Sequence, residues 1–396
     1  MKITLLGGGG IIGRVIARDL VENPRVTQVV LADLDVAAAQ AVADGLNSPK
    51  VTVERTDVTD TAALSAQLAD SGCVINAVQY YFNLAVMEAA LASGTHYVDL
   101  GGLFHTTRKQ LELHERFQAA GLTAILGLGS CPGIANIQGA ALADRLETME
   151  TLHIYNGATK DRTGDKLNWA YSINTILDEI SEPPMIFEGG EFKAVAPVSG
   201  EEMFLFKSPI GWEKTHLSLH SEVATLPLVF GDKGLKSCFF KISFFGYSEP
   251  ALRKLQFLAE LGLASREPIT LRDGRQVAPR DVVLPVLERY VKENPVAPDP
   301  ENPGFKDIAT VADGTMAGRT VRLRIDTTAA RKPEWGVSGS TLLVASPPAI
   351  VAVWLAAGEV EKSGVLPPEV AVDYKRFFAE LAERGASTEI TTTELL

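Results

Sequence analysis

The chain has 396 residues, 46% of them hydrophobic and 22% charged, with a formal net charge of −12; that length exceeds one ordinary core and predicts two domains. The acidic balance excludes nucleic acid and anionic membrane as expected partners, since both attract basic surfaces. Three scattered cysteines, Cys73, Cys131 and Cys238, make neither a disulfide framework nor a CxxC metal site, and the opening apolar run is too short for a signal peptide, so a cytoplasmic protein is expected.

In chain order, residues 1–147 alternate between apolar strand-like runs and helical stretches. The strands are expected at "KITLLG", "VTQVVLADL", "VTVERTDV", "CVINAV", "HYVDLGG" and "TAILGLG". In the first intervening stretch Ile12, Val15, Ile16 and Leu20 fall on one helical face. Strand and helix repeated in this way predict an α/β Rossmann domain, a doubly wound parallel sheet with helices on both faces.

Between the first strand and its helix lies "GGGGIIG". Gly8, Gly10 and Gly13 fit G-x-G-x-x-G: Gly8 for the tight turn, Gly10 for close approach of a pyrophosphate, Gly13 for helix–sheet packing. The unpaired N–H groups of the helix start, around Ile11 and Ile12, would meet the diphosphate. Asp33 ends the second strand and suits two ribose hydroxyls, while repelling a 2′-phosphate, so NAD is expected before NADP. Asp57 and Val58 would flank the adenine, Asn76 and Ala77 would lie near the nicotinamide ribose, and Tyr80 would stack or pack beside the nicotinamide.

Residues 148–344 change character, with strands no longer separated by long helices. In "TVRLRIDTT" Val321, Leu323 and Ile325 alternate with Arg322, Arg324 and Asp326, the period of a sheet with one wet face. A second, mainly antiparallel α+β domain is expected, and its half-exposed sheet predicts a homodimer. The run "STLLVASPPAIVAVWLAAG", with Pro347 and Pro348 at its middle, reads as a strand, a turn and a buried helix rather than a membrane span. Residues 345–396 read as helices.

Beyond the glycine motif, "HYVDLGG", "GLTAILGLGSCPGIAN", "HSEVATLP" and "GVLPPEVAV" resemble the saccharopine dehydrogenase family. The resemblance implies a Rossmann domain, a second domain inserted after its sixth strand, and a C-terminal segment, 345–396, that returns to the Rossmann core. It also implies a nicotinamide cofactor and an amino-acid or opine-type substrate. Within the family the pattern is nearest to NAD-dependent deamination of L-lysine at its ε-amine; reductases that join an amine to a carbonyl compound are the alternative. A dinucleotide-binding scaffold or redox sensor without catalysis is the reading from another class.

Hydride transfer at an amine needs a proton-transfer group, held substrate charges and no metal. Asp99 and His220 are the candidate catalytic residues: Asp99 ends the fifth strand, and His220 has a suitable ordinary pKa. If "KTHLSLHSEVATLP" is a strand, His216, Ser218, His220 and Glu222 share one face over the substrate. Asn136, Tyr171, Ser172 and Glu222 are the expected substrate contacts. Cys131 reads as a small buried thiol, since the reaction needs no nucleophile.

Overall fold

The computed structural model describes residues 1–160, 166–167, 172–244, 248–297 and 299–395. Its first sheet has seven parallel strands. In spatial order they are Gly364–Leu366, Thr123–Ile125, His96–Asp99, Cys73–Asn76, Lys2–Leu6, Gln28–Asp33 and Val51–Arg55. The chain reverses direction across the sheet at Lys2–Leu6, which pairs with Cys73–Asn76 on one side and Gln28–Asp33 on the other. Such a switch point opens a crevice at the carboxyl ends of the strands. The inner strands read as apolar runs because both of their faces are covered: Ile3, Leu5, Leu6, Val29, Leu31, Val74, Ile75 and Val98 are buried. On the Gly13–Glu22 helix Val15, Ile16 and Leu20 are buried as the spacing predicts, while Ile12 is half-buried at its start.

The second sheet has nine strands in a mixed, mainly antiparallel arrangement. Thr148–Ala158 lies at its centre, parallel to Ser237–Ile242 and antiparallel to Lys306–Met316. The expected alternation along Arg319–Ala329 holds for Val321, Leu323 and Ile325. Asp326, expected on a wet face, is buried. The Arg324 guanidinium lies over the Phe204 ring and bonds the Asp326 carboxylate, covering it.

Three expectations change in the C-terminal part. The run around Pro347 and Pro348 is a single helix, Gly339–Ala356, not a strand, turn and helix. Ser338 caps it by accepting from the Thr341 N–H, and its burial on nearly all sides offsets the backbone bonds the prolines remove. It packs on the first helix and on the Rossmann strands, so the return to the first domain starts at Gly339 and the expected boundary at 344/345 falls inside the helix. It is also the helix among the described residues long and apolar enough to cross a membrane, and here it is core. The third change is that 345–396 is not all helical. Gly364–Leu366 supplies the seventh Rossmann strand, and Ser387–Glu394 pairs with Arg319–Ala329 at the edge of the second sheet.

Candidate active site

The glycine turn is built as a cradle, with the tight-turn role moved by one residue from the expectation and Gly10 and Gly13 placed as expected. Gly7, not Gly8, takes the left-handed conformation, at φ +77°. Gly8 lies against Leu31, where a Cβ would stand 2.9 Å from the Leu31 Cβ. At Gly13 a Cβ would come within 2.1 Å of the Gly7 carbonyl oxygen, so only glycine lets the helix start this close to the turn. Gly10 is exposed, and a Cβ there would meet only the Gly7 carbonyl oxygen, at 3.2 Å. Ile11 is exposed and Ile12 stands at the helix start without a side-chain cap; the Arg14 and Val15 N–H groups donate to the Gly10 and Ile12 carbonyls, so an outside acceptor would meet the amides just before them, around Ile11 and Ile12. The open side at Gly10 and these amides fit a dinucleotide pyrophosphate.

Asp33 accepts from the Gly9 N–H at 2.9 Å and the Asp35 N–H at 3.0 Å, tying the cradle to the second strand. Arg55 stands opposite it in the neighbouring strand. Asp57 is exposed and closes its own turn by accepting from the Thr59 N–H and hydroxyl; Val58 is half-buried beside it. Ala77 backs the turn, its carbonyl oxygen 2.8 Å from where a Gly7 Cβ would be.

Asn76 and Asp99 do not face the crevice as expected. Asn76 is buried, and its amide donates to Asn83 Oδ1 at 2.9 Å and Tyr97 Oη at 3.2 Å. Asp99 is 1% exposed. It accepts from the N–H groups of Gly101 and Gly127, the Tyr97 hydroxyl, and the Gln110 and Asn83 amides. Burial raises its pKa, and these bonds, Gln110 first, oppose the rise. A carboxylate with its acceptor sites filled in this way fixes the loops at the crevice and is not poised to take a substrate proton, which corrects the catalytic role expected for it.

The second part of the site comes from the inserted domain. The stretch 212–222 is not one strand: the strand ends at Leu217, residues 218–221 turn, and Glu222 opens the helix Glu222–Phe230. His216 is thereby separated and pairs with the Val198 carbonyl. The turn lands on the Rossmann crevice, where the Ser221 hydroxyl accepts from the Gly102 N–H at 3.3 Å, just beyond the fifth strand. His220 sits beside it, stacked on Phe240 with ring centres 3.8 Å apart. Its Nδ1 is 2.7 Å from Glu222 Oε2 and its Nε2 is 3.8 Å from Glu179. Burial alone would lower the His220 pKa; the two carboxylates, Glu222 first, reverse this and push it up to about 9. The imidazole is therefore held as a cation at neutral pH.

Around this pair stand residues that the sequence reading did not single out. Lys306 is buried at the start of its strand, with its pKa lowered to about 8 by burial and held from falling further by Cys131, Asp307 and Glu179. Glu369, from the C-terminal segment, accepts from the Asn136 amide at 2.8 Å. Asn136 also accepts from the Gly133 N–H, so it caps its helix and anchors Glu369 rather than facing the crevice as expected. Glu222 Oε1 and Glu369 Oε1 are buried without a hydrogen-bond partner. Burial and the Glu222 charge lift the Glu369 carboxyl to about 7, against bonds from Thr225 and Asn136. Cys131 is raised by burial and by Glu222, as an inert thiol should be. Among the described residues no cluster of metal-ligating side chains occurs.

Tyr80 and Ser172 link the two domains. The Tyr80 hydroxyl donates to Asp178 at 2.9 Å, and the Gln79 amide donates to the Ser172 hydroxyl at 3.1 Å. Tyr171 lies outside the described residues. A buried lysine or glutamate shows in sequence only as a charge inside an apolar run, as in "GFKDIATV" and "VLPPEVAV"; that weak signal was the one available for Lys306 and Glu369.

Comparison with known proteins extends this geometry. Residues 3–125 match the family model described as the saccharopine dehydrogenase NADP binding domain. The chain is 26% identical to carboxynorspermidine synthase of Vibrio cholerae over 340 residues, which is 78% of this chain and 76% of that protein. It is 26% identical to carboxyaminopropylagmatine dehydrogenase of Synechocystis over 400 residues, 97% of this chain and 96% of that protein. The fold matches apo saccharopine dehydrogenase (L-Glu forming) of Saccharomyces cerevisiae with a TM-score of 0.73 over 98% of this chain and 99% of that one, at 17% identity. Fold, cradle and relatives define an NAD(P)-dependent oxidoreductase acting on amine-related substrates. The family-model match covers residues 3–125, the Rossmann part of the chain, and the match to the solved structure extends the likeness in fold to the inserted domain.

Proposed function

We propose that the protein joins an amine to a carbonyl compound by reductive condensation, yielding a carboxylated secondary amine, with the amine of polyamine type. The observation that carries this reading is the His220 imidazole held between Glu179 and Glu222 on the turn that meets the crevice. Buried carboxylates attract a cationic amine, and an imidazolium is the acid that condensation needs. The relatives named for carboxynorspermidine and carboxyaminopropylagmatine support this substrate class over L-lysine deamination, the first expectation from sequence.

In this reading Glu179 and Glu222 receive the amine, and His220 gives a proton to the carbonyl-derived hydroxyl as it leaves as water. The nicotinamide, when bound, supplies the hydride that reduces the resulting imine. Asp99 and Asn136 hold the loops, and the Gly10 cradle with Asp33 holds the dinucleotide. NAD is proposed as the preferred cofactor on the strength of the Asp33 carboxylate.

The test is cofactor turnover. NADH and NADPH are each offered with a diamine or agmatine together with a carboxylate-bearing aldehyde, and lysine with NAD⁺ is run in parallel. Cofactor oxidation that requires both amine and aldehyde is expected. NADH production from lysine, with no reductive condensation, would replace this reading by deamination.

A further inference from the structure

The helix Ile173–Ser181 carries two buried acids in succession, Asp178 and Glu179, each 2% exposed. Successive helical residues point about 100° apart, so the two serve different neighbours. Glu179 faces His220. Asp178 gathers bonds from both domains. Its Oδ2 accepts from the Tyr80 hydroxyl at 2.9 Å and from Arg266 at 3.3 Å, and its Oδ1 accepts from the buried Arg280. Arg280 in turn donates to the carbonyls of Ala264 at 2.7 Å and Asn174 at 3.3 Å, which locks the helical part of the inserted domain onto this helix. The Arg266 guanidinium also lies over the Tyr81 ring, 4.9 Å from its centre.

Tyr80 and Tyr81 open the turn Tyr80–Phe82 that follows the fourth Rossmann strand, on the edge where the dinucleotide is expected. The turn is thus in contact with one acid of the pair, while the other acid holds the imidazole.

We propose that Asp178 is a positioning residue that couples the seating of the cofactor to the placement of Glu179 and His220. Cofactor binding orders the Tyr80–Phe82 turn, the Tyr80–Asp178 bond transmits that order to the Ile173–Ser181 helix, and Glu179 is held against His220. Seating of the dinucleotide thereby tightens a placement of the proton donor that the Tyr80–Asp178 bond already supports. The inference rests on the proposed reaction for its kinetic readout only.

Tyr80→Phe removes the bond across the domains and keeps the ring and the Arg280–Asp178 pair, so the variant is expected to fold. Hydrogen–deuterium exchange of the whole chain, with NAD⁺ and NADP⁺ in separate runs, is expected to show cofactor-induced protection of residues 173–181 in wild type. In Tyr80→Phe that protection is lost, with dinucleotide affinity within twofold of wild type. In the condensation assay kcat falls about tenfold, and the upper limb of its pH profile moves down as Glu179 loosens its hold on His220. Asp178→Asn repeats the exchange result if it folds. Equal protection in wild type and variant, no cofactor-induced protection in wild type, or a tenfold loss of dinucleotide affinity in Tyr80→Phe would each overturn the coupling. The exchange readout needs no substrate, so it decides this inference even where the proposed reaction fails.

Discussion

His220 shows how far one side chain is set by its neighbours. Its folded pKa of about 9 lies above the ordinary histidine value, so its contribution to stability is complete below about pH 6.5 and is lost as pH rises through about 9. The melting temperature of wild type should fall between pH 7 and pH 9.5, and His220→Gln should remove that part of the slope. Condensation activity should follow the same limb, declining as the imidazolium deprotonates. His220→Gln should lower kcat by about 10²–10⁴-fold and spare cofactor binding, measured by steady-state kinetics and calorimetric titration. At the other end of the crevice, Asp33→Ser should narrow the preference for NAD over NADP in side-by-side kinetics. A wild-type preference for NADPH would move the determinant to Arg55, which stands opposite Asp33 in the next strand.

At the scale of elements, the glycine turn separates packing from binding. A branched side chain at Gly10 meets one neighbour, the Gly7 carbonyl oxygen at 3.2 Å, on an otherwise exposed side, so Gly10→Val should fold and lose at least tenfold in dinucleotide affinity, about 1.4 kcal/mol. At Gly13 the same change collides with the Gly7 carbonyl, and Gly13→Val should lower the melting temperature and destroy binding together. Circular dichroism beside calorimetry distinguishes the two. The Rossmann strands and this turn were legible because local patterns specify them: a period in the apolar residues and glycines at fixed offsets. The turn at 218–221 was not. Its residues alternate as a strand does, and what breaks the strand is the contact of Ser221 with Gly102, 119 positions away in sequence. His220 and Glu222 meet across this turn, Nδ1 to Oε2 at 2.7 Å, and not along the strand face expected for them. Asp99 does end its strand, but three of its five donors, Asn83, Gln110 and Gly127, come from other segments, and no local pattern announces them. The helix Gly339–Ala356 keeps two internal prolines because tertiary burial outweighs local propensity.

In the whole molecule, the C-terminal segment fastens the two domains to each other. Arg384 reaches from the end of the Tyr374–Glu383 helix to Asp19 on the first helix, with bonds of 2.7 and 2.8 Å. Burial raises the Asp19 pKa and Arg384 opposes it. Arg384→Met should therefore leave a buried, unpaired carboxylate and cost about 3 kcal/mol in urea unfolding. The defect should ease as pH falls, because burial raises the Asp19 pKa and the unpaired carboxylate can then take a proton. The same segment supplies the seventh strand of the first sheet at Gly364–Leu366, Glu369 bonded to Asn136, and the edge strand Ser387–Glu394 of the second sheet. A chain emerging from the ribosome therefore holds both sheets open until residues beyond Gly364 are free of the exit tunnel. The helix Gly339–Ala356, which covers the strands behind the glycine cradle, and Glu369, which anchors Asn136, arrive within about thirty residues of each other, so both halves of the crevice are completed late and together.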